Sequence, residues 1–374
     1  MRYLLFFILL ISTVGWCREF GCKLNGNELL CEMTTMSPGK NPPGIYAFNP
    51  NSGNAVRIIP FGHHPVWSPD HKKFAYFYDK SICIADIEHH SVDEVADDFD
   101  NYNLWWLPDN THIIFNQHSK PLNSFLPTSI YIKDHSTEKF WQREKVEQVG
   151  NMSIKLDNNK IIIAYESITL VPGFFPINPV IRITEMGSTQ YTTIKSDLLK
   201  EALCFNPQWQ PHGLLLAFDA YYYNTGVSKI MLWNSVDNSV TEMPFWDRVS
   251  NYVKHANESH YINGIRLLSW SPSGKTVLVN MFQNTESDSM HGGYLITVPI
   301  DQKEEIKDFV GLNGIIHAGI SSPDGGTIAS IKSFSQNPTT GTVSFLILYN
   351  SAGVKDRDII ANIPERLQAT YINW

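Results

Sequence analysis

Apolar residues fall along this chain in short alternating or unbroken runs of about five, each bounded by turn-forming residues, which is the pattern of β-strands. One order recurs. An apolar run, often ending in Trp, leads to a turn built from Pro, Asp, Asn, Ser or Gly, and a second apolar run follows. Val66-Trp67-Ser68-Pro69-Asp70 precedes residues 73–78, and Trp106-Leu107-Pro108-Asp109-Asn110 precedes 112–116. Trp209-Gln210-Pro211-His212-Gly213 precedes 214–218, and Trp270-Ser271-Pro272-Ser273-Gly274 precedes 277–281. Ser322-Pro323-Asp324-Gly325 leads to 328–331 without a Trp, and residues 153–159 keep only the turn before 161–165. Pro presets φ early in such a turn, Asp or Ser caps it, and Gly or Asn accepts positive φ before the chain reverses. These residues set hairpin register and are no catalytic signature.

A third apolar run follows each pair, at 44–48, 81–85, 129–133, 180–184, 229–233, 294–298 and 345–349. A fourth is shorter and more polar, as at 55–59 and 240–243, which suits a strand facing solvent. The chain ends on Ala369-Thr370-Tyr371-Ile372-Asn373-Trp374, where another copy would open, and residues 24–33 begin with the turn Asn25-Gly26-Asn27 and continue as a strand. Joined tail to head, these two pieces make a seventh copy with the order seen unbroken in 268–281. The period of roughly fifty residues lies in the range of four-stranded propeller blades. The expectation is an all-β, seven-bladed β-propeller of four-stranded blades, its ring closed by the C-terminal strand pairing with the N-terminal blade, with six blades as the alternative. Outside residues 1–15 only 195–202 and 247–255 suit a short helix.

With 374 residues, 43% hydrophobic and 12% aromatic, the chain can bury a large core. Its net charge of −8, spread without blocks, carries no electrostatic footprint for nucleic acid. Residues 1–15 combine Arg2, an apolar stretch and small residues near the end, which predicts a signal peptide, shorter than the roughly 20 apolar residues of a membrane span. Residues 16–374 are then one domain, periplasmic or secreted, without a membrane span after the signal is removed. Trp16 stands before Cys17 where a lipoprotein signal wants a small residue, which disfavours lipidation. Cys17 or Cys22 could pair with each other or with Cys31, while Cys83 and Cys204 fall in apolar strands as buried thiols.

The Trp-Ser-Pro-Asp turns, clearest at Trp67-Ser68-Pro69-Asp70, Trp270-Ser271-Pro272 and Ser322-Pro323-Asp324-Gly325, together with the third strands, resemble the WD40-like repeats of the TolB-like propeller family. The resemblance spans residues 24–374 and implies fold rather than function, since similar propellers occur in periplasmic binding proteins, before serine peptidase domains and in sugar lyases. TolB carries an α/β domain ahead of six blades, which this chain lacks room for. A peptidase is excluded by the missing Gly-x-Ser-x-Gly elbow and by the length.

In a propeller, the loops into first strands share a face with those joining second to third strands, here 36–43, 120–127, 170–179, 284–292 and 336–341. Long loops on a rigid scaffold are where binding concentrates. The connection 246–263 offers Trp246, Arg248, Tyr252, His255, His260 and Tyr261 as a ligand-binding set, and Phe174 and Phe175 form an apolar tip suited to partner contact. Of 13 histidines, His63, His64 and His317 fall at this face and could hold a divalent cation such as Mn or Zn. The recurring Trp67, Trp106, Trp209, Trp270 and Trp374 read as packing between blades. Asn151-Met152-Ser153 and Asn257-Glu258-Ser259 are glycosylation sequons. The functional expectation is a non-catalytic binding or scaffold module without a cofactor, engaging a protein partner or polar ligand in the envelope or outside the cell. The alternative is a metal-dependent carbohydrate-active enzyme similar to oligogalacturonate lyases.

Overall fold

The computed structural model describes residues 24–35, 43–50, 52, 54–96, 101–117, 129–133, 138–141, 147–169, 177–188, 190–243, 264–284, 290–301, 307–309, 315–337, 341–350, 355–358 and 367–373. These residues form seven four-stranded antiparallel sheets. The first sheet orders the chain's last strand, Leu367–Asn373, beside Leu29–Thr35, Gly44–Phe48 and Ala55–Pro60. The other six are each built from consecutive strands: the second opens on Gly62–Trp67, the third on Asn101–Trp106, the fourth on Glu147–Asp157, the fifth on Ala202–Trp209, the sixth on Gly264–Trp270 and the seventh on Ile315–Ser321. Leu30 pairs with Asn373 and Thr35 with Leu367, so the two chain ends share one sheet.

The turn chemistry acts as its residues predict. Ser68 Oγ donates to Asp70 Oδ1 at 2.7 Å and accepts from Lys73 N at 3.0 Å, closing the hairpin. Ser322 repeats this with Asp324 at 2.5 Å and Thr327 N at 2.9 Å. The residue that must take positive φ is Gly274 or Gly325 in two turns but His71 in the second sheet, at φ 57. There the ring stacks on Trp67 at 5.7 Å and its Nδ1 lies 2.7 Å from Gly26 O, contacts that offset the strain. In the turn that lost Trp and Pro, Asn158 and Asn159 both take positive φ and make a tight two-residue hairpin.

Between sheets the core is apolar and continuous in kind. Leu29, Cys31, Met33, Tyr46 and Phe48 of the first sheet pack on Ala329, Ile331, Leu346 and Leu348 of the seventh, while Leu30, Ile45 and Ala47 pack on Phe74, Tyr76 and Cys83 of the second. Trp67, Trp106, Trp209 and Trp270 are all buried at these joints. Three donate their indole N–H to the preceding sheet's backbone: Trp67 to Glu28 O at 3.0 Å, Trp106 to Val66 O at 2.9 Å and Trp270 to Gln208 O at 2.9 Å. Trp374 lies outside the described residues.

Some expectations need correction. Hairpins planned as long loops are shorter, because strands run on to Asn284, begin again at Met290, and start at Ile177 within the supposed loop 170–179. The helix expected at 195–202 is only the 3-10 turn Asp197–Leu199, capped by Ser196. Cys31 is a fully buried free thiol against Met33 Sδ at 3.3 Å, so it is no partner for Cys17 or Cys22. No helix among the described residues is long and apolar enough to cross a membrane.

Candidate functional site

Where the opening strands pair with their neighbours, the register slips by a bulge: between His63 and Val66, Phe205 and Gln208, Leu267 and Ser269, and Ile316 and Ala318. A bulge leaves backbone groups that the ladder does not pair. In each case a buried polar side chain from the second strand of the preceding sheet satisfies one. Glu32 Oε2 accepts from His64 N at 3.0 Å, Glu166 Oε1 from Asn206 N at 2.5 Å, and Asp219 Oδ1 from Leu267 N at 2.8 Å. Asn280 Nδ2 donates to Ile316 O at 3.1 Å. All four side-chain owners are nearly buried, so these bonds tie sheet to sheet in a medium where an unmade bond is costly.

The sequence reading overlooked these residues. Their signal was present: Leu29-Leu30-Cys31-Glu32, Ala164-Tyr165-Glu166, Leu216-Ala217-Phe218-Asp219 and Val277-Leu278-Val279-Asn280 each end an apolar run on an acid or amide.

His63 and His64 converge on Glu32, with Nδ1 of each 3.3 Å from a different carboxylate oxygen. Burial pushes the Glu32 carboxyl up, but the bonds from His63 and the His64 backbone, with the charge of both rings, hold it below its usual range. The Glu32 bond raises His63, whereas burial lowers His64. Among the described residues no group of three His, Cys, Asp or Glu side chains is disposed to hold a metal ion. His317 lies on strand Ile315–Ser321, and its side chain is outside the description. Trp246, Arg248, Tyr252, His255, His260, Tyr261, Phe174 and Phe175 also lie outside the described residues.

The opening strands of the second to sixth sheets surround a cavity of about 340 Å³, whose polar lining includes His64, Asn103, Asn151, Ser153, Asn206 and Gln208 beside Trp105. Asn151 is thus a wall residue whose Nδ2 donates to Glu166 Oε1 at 2.9 Å, so the first sequon is engaged in the folded chain. Asp219, buried behind this wall, has its pKa pushed up to about 7 by burial, against the Leu267 and Asn206 bonds and the charge of Arg266.

No protein-family model matches the sequence, and no curated protein is significantly similar to it. Solved structures do match. An oligogalacturonate lyase in complex with manganese aligns with a TM-score of 0.56 at 11% identity, covering 90% of this chain and 84% of its own. The β-propeller domain of the Trilobed protease from Pyrococcus furiosus, described as having an open velcro topology, aligns at 0.56 and 14% identity, covering 91% and 95%. The fold is a β-propeller. TolB from Acinetobacter baumannii aligns at 0.47 and 13% identity, covering 89% and 78%. The matches above 0.5 are propellers of differing function, a lyase in one neighbour and part of a protease in another.

Proposed function

We propose that this propeller is an exported, non-catalytic binding module of seven blades, closed by the C-terminal strand. Pairing of Leu367–Asn373 with Leu29–Thr35, and the bond from Trp67 N to Asn373 Oδ1 at 2.9 Å, support the closure. One observation carries the functional reading. The buried carboxylates behind the cavity are committed to the backbone of the next blade, and the wall they support presents carboxamides and an aromatic, groups that recognise polar ligands without reacting with them. The apolar residues 1–15 with their single Arg support export. The test is cross-linking of the tagged protein in intact cells, followed by identification of captured envelope or extracellular components. Specific capture that is lost when 246–263 is replaced by a Gly-Ser linker supports the long-loop face; equal capture by both versions refutes it.

A second reading, a metal-dependent carbohydrate-active enzyme, would need a further donor beside His63 and His64, whose rings converge on Glu32 without making a metal-holding group among the described residues. Elemental analysis with and without chelator tests it. A stoichiometric transition metal lost in His63→Ala, His64→Ala or His317→Ala, together with β-elimination from oligogalacturonate, would replace the binding reading.

A further inference from the structure

Three of the carboxamides lining the cavity are oriented by their hydrogen-bond partners. Gln208 Nε2 donates to Asn206 Oδ1 at 3.2 Å and to Leu268 O at 3.0 Å. Asn206 Nδ2 donates to Leu267 O at 2.6 Å and to Asp219 Oδ2 at 3.2 Å, and Asn151 sends both its backbone N–H and its Nδ2 to Glu166. Backbone carbonyls accept only, so Leu267 O and Leu268 O orient the amides of Asn206 and Gln208, and the Glu166 carboxylate orients that of Asn151. The amide nitrogens are thereby held against the wall. With the nitrogens so engaged, Asn151 Oδ1, Gln208 Oε1 and the second lone pair of Asn206 Oδ1 remain as acceptors on these lining residues.

An acceptor wall selects a donor ligand. Hydroxyls both donate and accept, carboxylates only accept, and ammonium and guanidinium groups only donate. Trp105, half-buried in the same lining, adds an aromatic surface that favours a cation. Glu166 stands directly behind, 5% exposed. Arg266 bears on Asp219 and does not line the cavity. The volume, about 340 Å³, suits one side chain or small amine and is small for an oligosaccharide.

We propose that this cavity receives a primary ammonium or guanidinium group, carried by a partner's lysine or arginine side chain or by a free alkylamine. The inference rests on the binding reading and names its chemistry. Isothermal titration of the whole chain with n-butylammonium, n-butylguanidinium and the capped tripeptide acetyl-Gly-Arg-Gly-amide tests it, with galactose and galacturonate as comparators. The cations are expected to bind and the comparators to bind at least tenfold more weakly. Tighter binding of the peptide than of butylguanidinium points to a protein source, and the reverse to a free amine. Gln208→Met removes one acceptor and is expected to weaken the cation about tenfold, the scale of one bond to a charged group. Trp105→Leu leaves the amides in place and is expected to weaken it severalfold. Binding of galacturonate in preference to both cations, or cation binding unchanged in both variants, overturns the proposal. Partner capture in cells does not depend on soluble amines, so its success alongside failed titrations would refute this inference alone.

Discussion

Glu166 joins two blades, and its replacement measures how much such a joint contributes. Its carboxylate accepts from Asn206 N at 2.5 Å, Asn151 N at 3.1 Å and Asn151 Nδ2 at 2.9 Å. Glu166→Ala strips all three. A bond to a charged group contributes about 1.5–3 kcal/mol, and the Asn151 side chain, open to cavity water, can be given no weight. Two backbone bonds then predict a loss of about 3–6 kcal/mol. Glu166→Gln keeps an oxygen for Asn206 N but turns an amide N–H₂ toward Asn151 N–H, for a loss of about 1–2 kcal/mol. Gly150→Ala reaches the same site from the other side, since a Cβ there would collide with Glu166 Oε2, and it should fall between the two. The assay is urea unfolding followed by fluorescence of the 10 tryptophans. If Ala and Gln variants both unfold within about 0.5 kcal/mol of wild type, the bulge bonds do not hold the blades and the reasoning fails.

Asp219 makes stability depend on pH. Its pKa of about 7 in the folded chain exceeds its ordinary value of 3.8, so the contribution is fully present below about 3.8 and is lost as pH rises through about 7, at most about 4 kcal/mol. Asp219→Asn should flatten that slope in urea midpoints taken from pH 4 to 8, and an unchanged slope would place the proton elsewhere. At the Asn158-Asn159 hairpin, Asn159→Ala at φ 64 is expected to cost about 1 kcal/mol and Asn159→Gly almost nothing, measured the same way. Cys31, Cys83 and Cys204 are buried, with burial raising the Cys31 thiol strongly and Cys204 to about 12. Native protein should therefore leave all three unlabelled by a maleimide reagent, as peptide mass spectrometry can check, and unfolding should expose them; rapid native labelling of Cys31 would contradict its burial between the first and seventh sheets.

The strands and their hairpins were legible in the sequence because they depend on local causes. A period of two with apolar faces, Ser68 and Ser322 able to cap their own turns, and Gly274 or Asn159 able to take positive φ all act within a few residues. Even the pairing of the chain ends followed, since 24–33 and 369–374 are each an incomplete copy of a unit seen whole elsewhere. Trp67, Trp106, Trp209 and Trp270 were legible as packing for the same reason: repetition showed that they belong to the scaffold.

The cavity was not legible, and neither was the role of its supports. His63 and His64 were legible as candidate metal ligands, but not their shared partner Glu32, about thirty residues earlier and on another blade. Glu166 and Asp219 follow apolar runs in the sequence, and nothing local marks what they bind. Their partners are backbone N–H groups of Asn206 and Leu267, freed by bulges whose position is set by how two blades meet. Sequence by itself determined which segments become strands and where each turn reverses, because backbone conformation answers to neighbouring residues. Only the tertiary structure decided which polar groups face the central cavity and which are consumed holding it together, because hydrogen-bond satisfaction is settled between blades, by residues far apart in the chain.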